Sequence, residues 1–381
     1  MARSAMPLSF FADLRAGLAG LAPGRFPYRR FGLAIALGSA GGYVFARLNL
    51  PLPWMLGSMA VLTVAALARA PIAAPALVRA PMAAVIGVML GTNFSPAVIG
   101  QVPGWIVTVL GLVVFIVISG ALCVLYFRHV GGYDFTTAYF AGMPGGLVEM
   151  VMMGDERGGD ARAIALIHSA RILLIVFTLP FFVQWLEGVS LGPRAQLGTS
   201  VLDAPLDTEL WLLGTAVFGV ALGYLLRLPA KQLLGPMLLS AIVHTAGLSD
   251  FKAPQEIVNA AQVVLGAVIG CRFLGTSLRD IARILVLSLG STLILLAVTF
   301  AFGFGLSLLA AHEPVPLILA FSPGGLAEMS LIALAMRLEV AFVAAHHIIR
   351  VFFVMAGASL VFGLIVKAKP SPPSHRTDQK P

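Results

Sequence analysis

Residues 144–150 read Pro-Gly-Gly-Leu-Val-Glu-Met, and residues 323–329 read Pro-Gly-Gly-Leu-Ala-Glu-Met, 179 positions later. Both lie inside long apolar stretches. Proline lacks an amide donor and clashes within a helix, but it suits a first turn. The paired glycines weaken the helix further and permit close backbone approach. In the middle of a membrane span this pattern predicts a broken helix whose second half starts at the proline, with Ser322 placed to cap the second copy. Free amides and a positive dipole end then face the protein interior. Such interruptions at membrane depth persist only where protein or a watery cavity surrounds them.

The rest of the chain fits a bilayer. Of 381 residues, 59% are hydrophobic and 11% charged, with mean hydropathy +0.95. Soluble domains carry about 25% charged residues. Residues 104–127 contain no ionisable side chain except Cys123 and Tyr126, and residues 284–311 contain none. About 20 such residues make a helix that crosses the hydrocarbon core. Apolar segments run over 32–47, 53–69, 80–94, 104–127, 133–153 and 161–186, then over 210–227, 232–248, 255–274, 281–311, 315–336 and 340–366. The expected fold is an all-α polytopic membrane protein with about 10–12 transmembrane segments in two internal repeats and a broken helix in each.

The organisation follows. Residues 1–31 form a cytoplasmic leader, 32–186 the first membrane repeat, 187–209 a polar linker, 210–366 the second repeat and 367–381 a Pro-rich disordered tail. The net charge of +8 is concentrated at the ends: Arg3, Arg15, Arg25, Arg29 and Arg30 before the first span, Lys367, Lys369, Arg376 and Lys380 after the last. Basic flanks favour the cytoplasmic side, which predicts both termini inside. With the charge split between two tails and no nucleic-acid motif between them, nucleic acid is not an expected partner. The lipid bilayer is, and a homodimer remains open. Cys123 and Cys271 lie alone in different halves and read as core residues.

The duplication extends beyond the Pro-Gly-Gly segments. Gly87-x3-Gly91-x2-Phe94 matches Gly266-x3-Gly270-x2-Phe273, and His168-x2-Arg171 matches His347-x2-Arg350, at the same shift of 179. Leu56-Gly57-Ser58-Met59 matches Leu234-Gly235-Pro236-Met237, and Gly42-Tyr43 matches Gly223-Tyr224, with small indels. Paired interruptions at corresponding positions of two halves point to a transporter site. The candidate substrate- or ion-binding residues are Pro144, Gly145, Gly146, Glu149, His168 and Arg171, with Ser322, Pro323, Gly324, Gly325, Glu328, His347 and Arg350.

Glu149 and Glu328 fall a little over one turn beyond their prolines. Carboxylates at membrane depth mark ion or proton pathways, or a structural ion pair. Each arginine shares a helix face with its histidine and needs a carboxylate, carbonyls or an anion. The expected pairs are Glu149–Arg171 and Glu328–Arg350, or their crossed versions. The histidines read equally as proton relays or as static helix glue. His346 has no counterpart and reads as packing. Gly87, Gly91, Gly266 and Gly270 read as close-packing positions, and Asn93 and Arg272 as equivalent sites able to gate a pathway.

Other chemistries find no support. No Walker loop is present to drive pumping with ATP, no clustered ligands suggest a copper or iron enzyme, and no serine-hydrolase elbow occurs. No cofactor is expected beyond H+ or Na+ as coupling ion.

The duplicated PGGLxEM and H-x2-R segments, with Pro-Trp-Met-Leu-Gly-Ser at 53–58 and Leu-Leu-Gly-Pro-Met at 233–237, resemble the AbrB-type bacterial membrane protein family over residues 32–366. Its members carry labels of transcriptional regulator or ammonia monooxygenase. The resemblance implies inner-membrane location, membership of the cation/proton-antiporter and anion-transporter superfamily, and inverted repeats with crossed broken helices. It makes a secondary transporter with unknown substrate the expected function, a membrane sensor affecting gene expression the alternative, and a membrane monooxygenase a distant third. Six crossings per half make the repeats parallel; the resemblance implies odd-numbered, inverted halves. The uncharged 95–103 connection, set against Arg272, Arg279 and Arg283 in its counterpart, hints at inversion, with one short segment per half re-entrant.

Overall fold

The computed structural model describes residues 6–188, 200–276, 278–310 and 312–367. The Pro-rich tail and most of the linker expected from the sequence lie outside the described residues. Among them the chain is helical, with one isolated bridge between Pro23 and Phe26. The helices are α1 (Met6–Gly20), α2 (Tyr28–Arg47), α3 (Pro53–Leu67), α4 (Arg79–Gly91), α5 (Pro96–Gln101), α6 (Ile106–His129), α7 (Phe135–Gly142), α8 (Leu147–Asp155) and α9 (Ala161–Glu187). They continue as α10 (Leu206–Leu225), α11 (Lys231–Thr245), α12 (Gln255–Gly270), α13 (Leu278–Ala310), α14 (Pro314–Phe321), α15 (Leu326–Ala335) and α16 (Val340–Lys367).

Among the described residues, six helical stretches are long and apolar enough to cross a membrane: Pro96–His129, Ala161–Leu186, Leu206–Leu225, Gln255–Phe273, Ile281–Ala310 and Val340–Val366. The other apolar segments seen in the sequence form shorter helices. α3 and α11 have 15 residues each, about 22 Å at 1.5 Å per residue, against a hydrocarbon core of about 30 Å. Segments 133–153 and 315–336 are split between two half-helices apiece. The outer faces of the long helices are apolar where they are exposed, as at Leu110 (63%), Val117 (64%), Phe218 (70%) and Leu308 (88%). An apolar surface of that extent belongs in lipid.

The leader is more structured than its composition suggests. It contains α1, whose Asp13 accepts a 2.7 Å hydrogen bond from the Tyr224 hydroxyl and lies 3.6 Å from the Lys231 ammonium. α1 thereby docks on the α10–α11 hairpin.

Contacts recur with the two halves exchanged. α4 packs on α11, and α12 on α3. A Cβ added at Gly87 would strike the Leu233 backbone, and one added at Gly266 would strike the Met55 backbone, so both positions are held to glycine by close helix approach. Gly57 meets Gly41 as Gly235 meets Gly219, which aligns these helices at a shift of 178 rather than through Gly42 and Gly223. On α6 and α13, Gly111 faces Leu306 and Gly290 faces Tyr126. Numbers rise along one helix as they fall along the other, so α6 and α13 run antiparallel.

Candidate functional site

Each Pro-Gly-Gly segment sits between two half-helices. Asp134 opens α7 by accepting the Thr137 amide at 3.0 Å, and α7 ends at Gly142. Met143 then has ψ 136° and Gly146 ψ 140°, and helix resumes at Leu147. In the second copy Ser322 has ψ 140° and Gly325 ψ 152°, with helix resuming at Leu326. A residue preceding proline is driven into extended backbone by the ring, which ends the first half-helix at the predicted place. The second half-helix does not start at the proline, however. It starts three residues later, with glycine as the N-cap residue. Ser322 does not cap it either: its Oγ donates to the Leu319 carbonyl at 2.9 Å, back toward α14.

The arginines lie where the sequence placed them, but with other partners. Among the described residues no carboxylate stands within 4.0 Å of Arg171 or Arg350, so the expected Glu149–Arg171 and Glu328–Arg350 ion pairs are not formed. Arg171 donates to the Met143 carbonyl at 3.1 Å, the Gly145 carbonyl at 3.4 Å and His168 Nδ1 at 2.8 Å. Arg350 donates to the Ser322 carbonyl, to the Gly324 carbonyl at 2.9 Å and to His347 Nδ1 at 2.9 Å. The break exposes carbonyls that have lost their helical donors, and a forked guanidinium satisfies two of them at once.

The histidines are locked by the same network. His168 Nε2 lies 2.9 Å from the Phe140 carbonyl, and His347 Nε2 lies 3.0 Å from the Leu319 carbonyl. A carbonyl only accepts, so Nε2 carries the proton; an arginine only donates, so Nδ1 keeps its lone pair. Both rings are therefore neutral in this arrangement, each held between one donor and one acceptor. His168 and His347 are 0% exposed, Arg171 3% and Arg350 4%.

The glutamates occupy the other side of each break. Glu149 and Glu328 are the third residues of α8 and α15. Their carboxylates fold back to the amino ends: a Cβ on Gly146 or Gly325 would overlap Oε2 of Glu149 or Glu328. Each break is thus charge-matched along its length. A guanidinium meets the carbonyl end of the first half-helix and a carboxylate the amide end of the second, as the opposed helix dipoles favour. The copies differ in surroundings. Glu328 is 7% exposed, whereas Glu149 is half-buried.

Arg272 adds an inter-half contact. Its Nη1 donates to Ser169 Oγ on α9 at 3.1 Å, beside His168, and its charge lies within electrostatic range of Glu328. The equivalent Asn93 instead turns back to the Met89 and Leu90 carbonyls. Composition and spacing flag Arg272 and Asn93, but not Ser169, whose role depends on how the turn Cys271–Phe273 after α12 meets α9.

The family model described as "Transition state regulatory protein AbrB" matches residues 54–366. The chain belongs to this family. It is similar to "Uncharacterized protein YhjN" of Bacillus subtilis (strain 168), 27% identical over 343 residues, covering 84% of this chain and 89% of the relative. It is also similar to "Putative regulator AbrB" of Escherichia coli (strain K12), 25% identical over 337 residues, covering 86% of this chain and 94% of the relative. Both alignments take in nearly the whole membrane part, so the AbrB family fold extends well beyond the two motifs.

Proposed function

We propose that the chain is a secondary transporter of the inner membrane, coupled to protons or sodium, with the two broken helices forming its central site. The observation that carries this reading is the pair of matching breaks, each with a carboxylate at the amino end of the second half-helix, in a protein whose corresponding helices α6 and α13 run antiparallel. Two halves of opposite orientation, each interrupted at the same point, are the arrangement that supports alternating access around a central site. Glu149 and Glu328 are the candidate carriers of the coupling ion, because they are the carboxylates at the breaks and, among the described residues, no salt bridge holds them. Arg171, Arg350, His168 and His347 position the broken backbone, and Pro144, Gly145, Gly146, Ser322, Pro323, Gly324 and Gly325 supply its exposed peptide groups. Both termini are assigned to the cytoplasm on their basic flanks.

A sensor without net transport is the second reading, favoured by the printed name of the Escherichia coli relative as a regulator. Proteoliposomes loaded with a pH-reporting or Na+-reporting dye separate the two. A transporter gives ion flux on addition of a substrate from a panel of small solutes, and Glu149→Gln and Glu328→Gln abolish it. No ion or solute flux with the native protein, together with an intact regulatory phenotype in both glutamine variants, sinks the transporter reading.

A further inference from the structure

His346 and His347 are neighbours on α16 with opposite hydrogen-bond environments. His347 faces one donor and one acceptor and is fixed as a neutral ring. His346 faces no obligate donor. Its Nδ1 lies 2.9 Å from the Phe342 carbonyl, and its Nε2 lies 2.8 Å from Thr108 Oγ1. Thr108 Oγ1 also lies 2.8 Å from the Trp105 carbonyl. With His346 neutral, one ring N–H and one hydroxyl proton serve three contacts, to Phe342, between the ring and Thr108, and to Trp105, so in either tautomer one of the three lacks a proton. With His346 protonated, Nδ1–H donates to Phe342, Nε2–H donates to Thr108, and Thr108 donates to Trp105. Every contact is then satisfied.

Aromatic side chains surround the ring: the centroids of Phe342, Trp105 and Phe321 lie 4.1, 6.0 and 6.2 Å from that of His346. Trp105 and Phe342 also line a cavity of about 230 Å³ at the start of α16, together with Asn93, Gln101 and Glu339. The exposed Glu339 places a carboxylate at its wall. The other ionisable groups nearby are His312, whose ring lies 4.9 Å from that of Phe342, Glu313 beside it in the chain, and His347 and Arg350 further along α16. α6 carries none until Cys123, Tyr126, Arg128 and His129 in its far half, and α14 carries none.

The polar trio is not a requirement of packing. At a shift of 179 the same positions hold Ile167, Ile284 and Leu287, all buried within one apolar cluster. The fold fills one of these two related places, each shared between the halves, with hydrocarbon and the other with His346, Trp105 and Thr108.

We propose that His346 is a proton-binding site, lying behind the Trp105–Phe342 wall of the cavity at the start of α16. The Thr108 hydroxyl turns from Nε2 to the Trp105 carbonyl as a proton arrives on the imidazole. The hydrogen-bonded chain then ties α16 to the start of α6. As the site of the coupling proton this rests on the transporter reading; as a proton-binding site it stands on the geometry alone.

The test is nitrogen NMR of the full chain, labelled at histidine, in lipid nanodiscs, titrated from about pH 8 to about pH 5. An imidazolium signal that develops as pH falls, disappears in His346→Gln and needs about tenfold more protons in Thr108→Val, where a hydrogen bond to the charged ring is lost, supports the site. Monodisperse elution of each variant establishes that it is folded, and Thr108→Ser, which keeps the hydroxyl, restores the native titration. A His346 ring that stays neutral across the range overturns the proposal, as does a titration unmoved by Thr108→Val. Titration of His346 in a protein that gives no flux leaves the site standing and removes the transporter reading alone.

Discussion

Replacing Arg350 by methionine tests whether the guanidinium, and not a salt bridge, holds the broken helix together. The substitution keeps an unbranched apolar stem but removes the guanidinium and all its donors, leaving the Ser322 and Gly324 carbonyls and His347 Nδ1 without partners. Hydrogen bonds to charged groups in soluble proteins are worth about 1.5–3 kcal/mol each. In membranes double-mutant cycles average only about 0.6 kcal/mol, because the unfolded helices find other partners. Three bonds therefore set a range of about 2–9 kcal/mol, the lower part applying if water reaches the vacated carbonyls. A loss of that size lowers the melting midpoint of the detergent-solubilised protein by several degrees. Arg171→Met falls at the low end, since its bonds to Met143 and Gly145 are longer, at 3.1 and 3.4 Å. Because His347 and Arg350 act as one unit, His347→Leu added to Arg350→Met costs much less than His347→Leu alone. The decisive comparison is Glu328→Gln. If it destabilises as much as Arg350→Met, or if Arg350→Met costs under about 1 kcal/mol, the carbonyl-clamp account is wrong and an ion pair is the better one.

Further outcomes follow from individual contacts. Gly266→Ala pushes a Cβ into the Met55 backbone and destabilises by about 1–3 kcal/mol, while Gly214→Ala, which meets nothing within 4 Å, leaves the melting midpoint within about 0.5 kcal/mol of native or raises it. Arg272→Met frees Ser169 and removes a positive charge near Glu328; accessibility of a cysteine placed at position 169 to a water-soluble maleimide rises, and an unchanged labelling rate contradicts the contact. Asp134→Ala loses the α7 cap and costs about 1 kcal/mol. Burial raises the Asp134 pKa, but hydrogen bonds from Thr137 and Thr136 outweigh it and hold the group below its usual 3.8. Its capping stability is therefore complete above the unfolded value and fades as pH falls through the folded one. The difference in melting between native and Asp134→Ala shrinks on acidification; a gap that widens reverses the sign.

How much of this was legible in the sequence depended on whether the signal was local. The breaks were, because proline dictates the backbone of its own predecessor: Met143 and Ser322 are extended in consequence. The His-x2-Arg faces were, because three residues bring two side chains together on any helix. The ion pairs were misread for a physical reason. A sequence shows which side chains carry charge, but not that the break strips carbonyls of their donors, and those carbonyls lie nearer to Arg171 and Arg350 than any carboxylate. The place of Glu149 and Glu328 was displaced by three residues because the glycines, not the prolines, became N-caps. The contacts of His346 were not legible because its partners, Thr108 and Trp105, are more than 230 positions away and carry no motif. The order of the halves needed the pairing of Gly111 with Leu306 and Gly290 with Tyr126, which no hydropathy pattern records.

The geometry also divides each break between a fixed part and a free one. His168 and Arg171 tie α9 to the end of α7 through the Phe140, Met143 and Gly145 carbonyls; His347 and Arg350 tie α16 to α14 in the same way. None of these bonds reaches into α8 or α15 beyond the break. The charged side chains at the amino ends of those short helices are their own Glu149 and Glu328, and a carboxylate there loses its attraction to the helix dipole when it binds a proton. In the proposed transporter, ion binding therefore acts on α8 and α15 while the arginine clamps keep α7 and α14 in place. Site-specific spin labels on α15 and α14, read in the native chain and in Glu328→Gln, test this division. The α15 label changes its distance to a reference on α6 and the α14 label does not. Equal displacement of both labels means that the clamp moves with the half-helix, and the division fails.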